Sequence, residues 1–146
     1  MIKAKGLRLG NLFQTVEGKV YCQICELSLE DYEGNGIHWC NLENNFEQYE
    51  AVGGNRDIEA IPLTPEILEK CGFKSYIRNY WVNEKQQYEA IHYYEKKQLI
   101  DFYFDKFKRN KWVSDRLFMF DYGIEYLHQL QNLYFAMTGE ELEVNL

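Results

Sequence analysis

The segment Tyr122-Gly-Ile-Glu-Tyr-Leu-His-Gln-Leu-Gln-Asn-Leu-Tyr-Phe-Ala-Met-Thr-Gly139 constrains this chain more than any other. Leu127, Leu130, Tyr134 and Met137 recur at helical spacing, with Tyr126 and Leu133 beside them, so they predict an amphipathic helix. Asp121 can cap its start, and Gly139 can take the left-handed conformation that ends it. The opposite side is unusual. It carries His128, Gln129, Gln131 and Asn132, with Ile124 and Phe135 among them, and Glu125 is the only formal charge over 124–138. A solvated face normally carries Lys and Glu, which add i,i+4 pairs. Amides and an imidazole suit a covered face, because they satisfy buried backbone groups without burying charge. His128, Gln131, Asn132 and Phe135 are therefore expected to form an interface with the N-terminal half, a linking helix or a second subunit. The leucine stripe is expected to lie on a β-meander.

The rest of the chain reads as β-rich. It has 12 tyrosines and 9 phenylalanines in 146 residues, and aromatic residues favour half-buried sheet faces. Leu7, Leu9, Leu12 and Phe13 precede a Glu17-Gly18 turn. Val20, Cys22 and Ile24 then alternate, and Leu27 and Leu29 resume the alternation one position out of phase, the slip that a β-bulge produces. Glu33-Gly-Asn-Gly36 predicts a turn, with Ile37–Cys40 returning from it. Asp57–Ile61 can close a curled sheet or a small SH3-like barrel. Thr64, Pro65, Glu66, Lys70 and Gly72 punctuate a short linking helix completely. Tyr80–Val82, Gln87–Tyr94, Leu99–Phe104 and Arg116–Phe120 read as an antiparallel meander. The expected fold is α+β: an N-terminal β unit over 1–61, and a C-terminal α+β unit over 62–146 in which the long helix packs on the meander.

Composition narrows function mainly by exclusion. The net charge is −7, carried more by residues 1–62 (10 acidic against 5 basic) than by 63–146 (13 against 11). Broad nonspecific nucleic-acid binding needs the opposite balance. The N-terminus has no apolar core of a secretory signal, and no run is long enough to span a bilayer, so a cytoplasmic protein with reduced thiols is expected. Cys22, Cys25, His38 and Cys40 could compose a zinc set. However, positions three apart on a strand face opposite sides and no turn residue lies near Cys22, so buried thiols are the expectation, with no metal and no cofactor. No nucleophile elbow or phosphate-cradling loop is present, and no carboxylate pair stands out. Lys106, Lys108, Arg109 and Lys111 with Trp112 form the one basic-aromatic cluster, able to meet phosphates and stacked bases. The plainer expectation is a solvated loop whose lysines discourage edge pairing.

Three stretches resemble a family. Leu7-Arg-Leu-Gly-Asn11 looks like its opening. Ile61-Pro-Leu-Thr64, Glu66, Leu68 and Lys70-Cys-Gly-Phe73 look like its midpoint. Leu127-His-Gln-Leu-Gln-Asn-Leu-Tyr-Phe-Ala136 with Thr138-Gly-Glu-Glu-Leu142 looks like its C-terminal signature. The family consists of small bacterial proteins carried by phages, prophages and mobile elements, and it brings no established activity, cofactor or catalytic residue. The resemblance implies a bacterial cytoplasm and a phage or mobile-element setting. With the composition, it makes a non-catalytic accessory protein that binds a host or phage protein the leading expectation. A nucleic-acid-binding module using residues 106–112 is the alternative. A homo-oligomer is compatible with either.

Overall fold

The structure, a computed structural model, describes residues 7–27, 37–42, 57–83, 86–96, 100–105, 111–113 and 123–146. It is α+β, with two antiparallel four-stranded sheets and two helices among these residues. The chain divides into two compact units, Met1–Pro62 with Tyr126–Ala136, and Leu63–Glu125 with Met137–Leu146. The sequence pattern grouped the whole long helix with 62–146. Most of it belongs instead with the N-terminal strands.

The first unit holds β1 (Leu12–Thr15), β2 (Tyr21–Leu27), β3 (Ile37–Asn41) and β4 (Ile58–Ala60), in the order β3-β2-β1-β4. β3 and β4 are its two ends, so the sheet is open among the described residues and the barrel expectation gives way to a curled sheet. The predicted bulge falls at Cys25, where the register jumps from Ile24↔Trp39 to Glu26↔His38. A second bulge follows from Gly10, at φ 85°. Its N–H donates to Ile24 O and Ile24 N–H donates to Asn11 O, both at 2.9 Å, so Gly10 and Asn11 together oppose one residue. Only glycine takes that backbone conformation cheaply. Phe13, Cys22, Ile24, Ile37, Trp39 and Ile58 make the core of this unit.

The second unit begins with α1 (Pro65–Lys70). Thr64 Oγ1 accepts from Ile67 N, Pro65 takes the first turn, and Gly72 at φ 78° ends the helix with Phe73 N–H on Leu68 O. The Thr64 hydroxyl also reaches Glu66 and holds its carboxyl below the usual range. β5 (Lys74–Asn83), β6 (Gln86–Tyr94), β7 (Asp101–Asp105) and β8 (Lys111–Val113) form a meander in sequence order. β5 starts well before the expected Tyr80. The short β8 lies inside the stretch expected as a loop, and the expected strand Arg116–Phe120 lies outside the described residues. One sheet face carries Tyr93, Phe102, Phe104 and Trp112, whose rings meet edge to face 5.4–5.8 Å from Trp112. The other buries His92 and Val113, so both faces are partly covered. The tail after Gly139 is held by buried Leu142 and by Asn145 N–H on Lys70 O. Among the described residues no helix is long and apolar enough to cross a membrane.

The long helix α2 runs Leu127–Thr138, three residues shorter at its start than the expected 124–138. Ile124 is engaged in a bridge to Trp112, and Tyr126 in one to Pro62. Gln129 Oε1 accepts from Tyr126 N at 3.1 Å, the reciprocal half of a capping box. The expected cap, Asp121, lies outside the described residues.

Candidate functional site

The amide face of α2 has found its counterpart within the first unit. From its C-terminal to its N-terminal end, the helix meets the segment Arg8–Phe13 in ascending order. The Arg8 guanidinium lies 3.7 Å from the centre of the Phe135 ring. Asn132 Oδ1 accepts from Asn11 Nδ2 at 3.0 Å. Gln131 Oε1 accepts from Leu12 N at 2.9 Å, while its Nε2 donates to Gly10 O at 3.3 Å. The His128 ring stacks on Phe13 with centroids 5.0 Å apart and an interplanar angle of 24°.

Gln131 explains why an amide is needed there. β4 pairs with β1 only from Phe13↔Ala60 onward, and Ile61 O, the next carbonyl along, accepts from Leu127 N instead. Leu12 N–H and Gly10 C=O would otherwise face no strand. The carboxamide supplies one acceptor and one donor, the pair a neighbouring strand would have offered, at 3% exposure. A leucine there would leave both groups with less. His128 is held by apolar contact alone: it lies between Phe13 and Tyr126, its Nδ1 is buried without a partner, and burial pushes its pKa down to about 4. The four interface residues proposed from sequence thus converge on one segment of the same chain. Their role is to lock α2 onto β1.

The basic-aromatic cluster fares differently. Trp112 is 4% exposed, and its Nε1 donates to Leu63 O at 2.7 Å. Its ring is committed to Tyr93, Phe102 and Phe104 and has no face to offer a base. Lys111 pairs in register with Asp105 and forms an ion pair with Glu125. Lys106, Lys108 and Arg109 lie outside the described residues.

Two of the four thiols expected to be buried are so, Cys22 and Cys71; Cys25 and Cys40 are half-buried. Burial, with the nearby Cys40 a lesser cause, pushes the Cys22 thiol up to about 12; burial alone does the same to Cys71. Cys25 sits at the bulge and Cys40 donates to Gln23 O at 3.7 Å. Among the described residues no three His, Cys, Asp or Glu side chains gather as a metal set; the His38 side chain is not among them.

Two features of the second unit had no sequence signal. On one face of the meander, His92 is 1% exposed and its Nδ1 lies 2.7 Å from Asp101 Oδ1. Asp101 Oδ2 accepts from the Tyr76 hydroxyl at 2.8 Å, and the rings of Tyr76 and Tyr103 flank the imidazole at 5.1 and 4.9 Å. This network ties three adjacent strands together through one carboxylate. On the other face, Ile77 and Ile91 stand directly opposite each other on β5 and β6, at 64% and 52% exposure. They lie beyond the last β6–β7 pair, His92↔Tyr103, where the hairpin outruns the sheet. An aliphatic cross-strand pair left in water part-way along the hairpin is costly to solubility, and such exposure marks contact surfaces.

No family model matches the chain, and no curated protein or solved structure does either.

Proposed function

We propose that this protein is a non-catalytic accessory factor of a phage or mobile element that binds a host or phage protein through the β5–β6 hairpin. The exposed Ile77↔Ile91 pair carries this reading. Its supports are physical. Interface cores draw on apolar residues that a monomer would otherwise bury. Among the described residues several groups that could have done chemistry are committed to packing: His92 to Asp101, His128 to Phe13 and Tyr126, Cys22 and Cys71 to their cores. The phage or mobile-element setting rests on the resemblance of the three quoted stretches. Burial of Trp112 and the Lys111–Glu125 pair weigh against the nucleic-acid alternative.

The test is affinity capture from bacterial lysate, with and without phage proteins, using the intact chain and an Ile77→Ser/Ile91→Ser variant whose fold is checked by circular dichroism. A protein retained by the first and lost by the second is the expected result. Identical captured sets would refute the hairpin as the docking surface.

A further inference from the structure

β5 is an end strand of its sheet among the described residues, with β6 as its one neighbour. Half of its backbone donors and acceptors therefore point away from β6. Lys74, Ser75, Tyr76, Ile77, Arg78 and Asn79 are all exposed, so both faces of the strand reach solvent along this stretch, with Tyr76 and Arg78 also engaged within the chain. Its charge is also out of keeping with the molecule. The chain carries −7, yet Lys74–Asn83 holds two cations and no carboxylate. Lys74, Tyr76 and Arg78 share one face, and the Tyr76 hydroxyl is tied to Asp101. Ser75, Ile77 and Asn79 share the other, with Ile77 beside Ile91.

We propose that the outer edge of β5 takes up an extended segment of a partner protein in which acidic and aliphatic residues alternate. The inference rests on the reading of the hairpin as a docking surface and names what docks there. Backbone pairing supplies the affinity of such strand addition, and alternate side chains supply its specificity. On an added antiparallel strand, the residues opposite Lys74 and Arg78 are four apart, matching the about 13 Å between those two cations. Carboxylates at these positions meet the cations, the residue midway between them lies over Tyr76 on the same face, and the two flanking it turn to the other face, where an aliphatic side chain meets Ile77. A second copy of β5 fits less well, since it would bring two carboxylate-free cationic strands together in a protein already carrying −7.

The experiment uses the full chain and two fluorescein-labelled peptides, one alternating glutamate with valine and one alternating lysine with valine, followed by fluorescence anisotropy. The glutamate peptide should bind, more weakly at high salt. Lys74→Glu/Arg78→Glu should weaken it about tenfold or more and shift preference to the lysine peptide. A preference that inverts with the charge of the edge is not produced by a damaged fold, and unchanged melting of the variant checks this further. Equal binding of both peptides, binding of neither, or a preference untouched by the double substitution overturns the proposal. So does a concentration-dependent dimer that the same substitution dissociates, which assigns the edge to a second copy. If capture of a protein still depends on Ile77 and Ile91 while the peptide preference is missing, only the acidic-strand inference fails.

Discussion

Replacing Gln131 should cost far more than its position on a helix implies, because its carboxamide stands in for a strand. In Gln131→Leu, the buried Leu12 N–H loses its acceptor at 2.9 Å, while Gly10 O loses one donor but keeps Gln23 Nε2 at 3.3 Å. The orphaned amide dominates, at about 1–3 kcal/mol. The leucine side chain returns part of this through apolar burial. Gln131→Ala adds a cavity and should lose about 2–4 kcal/mol. For a chain of this size the melting temperature should fall by roughly 2–4 °C per kcal/mol.

Gln131→Glu separates hydrogen bonding from packing. A carboxylate keeps the acceptor for Leu12 N–H but sets a second oxygen against Gly10 O, in a buried place. Burial raises the carboxyl pKa above its unfolded value of about 4.3. The variant's stability is then fully present below about pH 4.3 and is lost as pH rises through the folded pKa. Urea unfolding monitored by circular dichroism across pH is the measurement. Gln131→Leu within about 0.5 kcal/mol of wild type, or Gln131→Glu that gains nothing relative to wild type on acidification, refutes the surrogate-strand account.

His128, neutral in the fold with a pKa near 4, should make wild-type stability fall as pH drops from about 6.5 toward 4, since the unfolded chain takes up the proton first. The partly exposed ring limits this to about 1–3 kcal/mol, and urea midpoints of His128→Phe, which keeps the stack on Phe13, should lose that slope. Native-state alkylation read by mass spectrometry should label Cys25 and Cys40 well before Cys22 and Cys71, whose thiols are held near 12. Gly123→Ala should cost about 1–3 kcal/mol in thermal unfolding: the position has φ 61°, and an added Cβ would sit 2.8 Å from Lys111 Cβ and 3.1 Å from Trp112 O.

What could be read from the residues was whatever has a local cause. The one-residue slip between Ile24 and Leu27 is a bulge at Cys25, because the side-chain alternation of a strand records its own interruption. Thr64, Pro65 and Gly72 bound α1 because capping is settled within a few residues. The amide face of α2 pointed to a covered interface, and Gln131, Asn132 and His128 do meet Gly10–Phe13. What escaped has a distant cause or no periodic one. Lys74–Asn79 is exposed on both faces, so it has no alternation to find. Trp112 read as part of a basic-aromatic loop, solvated or able to stack on bases; its enclosure by Tyr93, Phe102, Phe104 and Leu63 depends on strand pairing that no local pattern records.

The same contrast separates the lock from the proposed docking surface. Residues that bind within the chain are matched one to one: an acceptor on Gln131 for Leu12 N–H, a donor for Gly10 O, a ring on Phe13 for His128. The exception is His128 Nδ1, which is buried without a partner. Among the described residues Ile77 has Ile91 across from it, and β5 has a strand neighbour on one side. The polar helix face, odd in sequence, is largely satisfied in the fold; the hairpin, read in sequence only as part of a meander, is left with an open edge among the described residues. A partner gains most where hydrophobic area and backbone hydrogen bonds are both still open, and among the described residues the β5 edge beside Ile77 offers the two together.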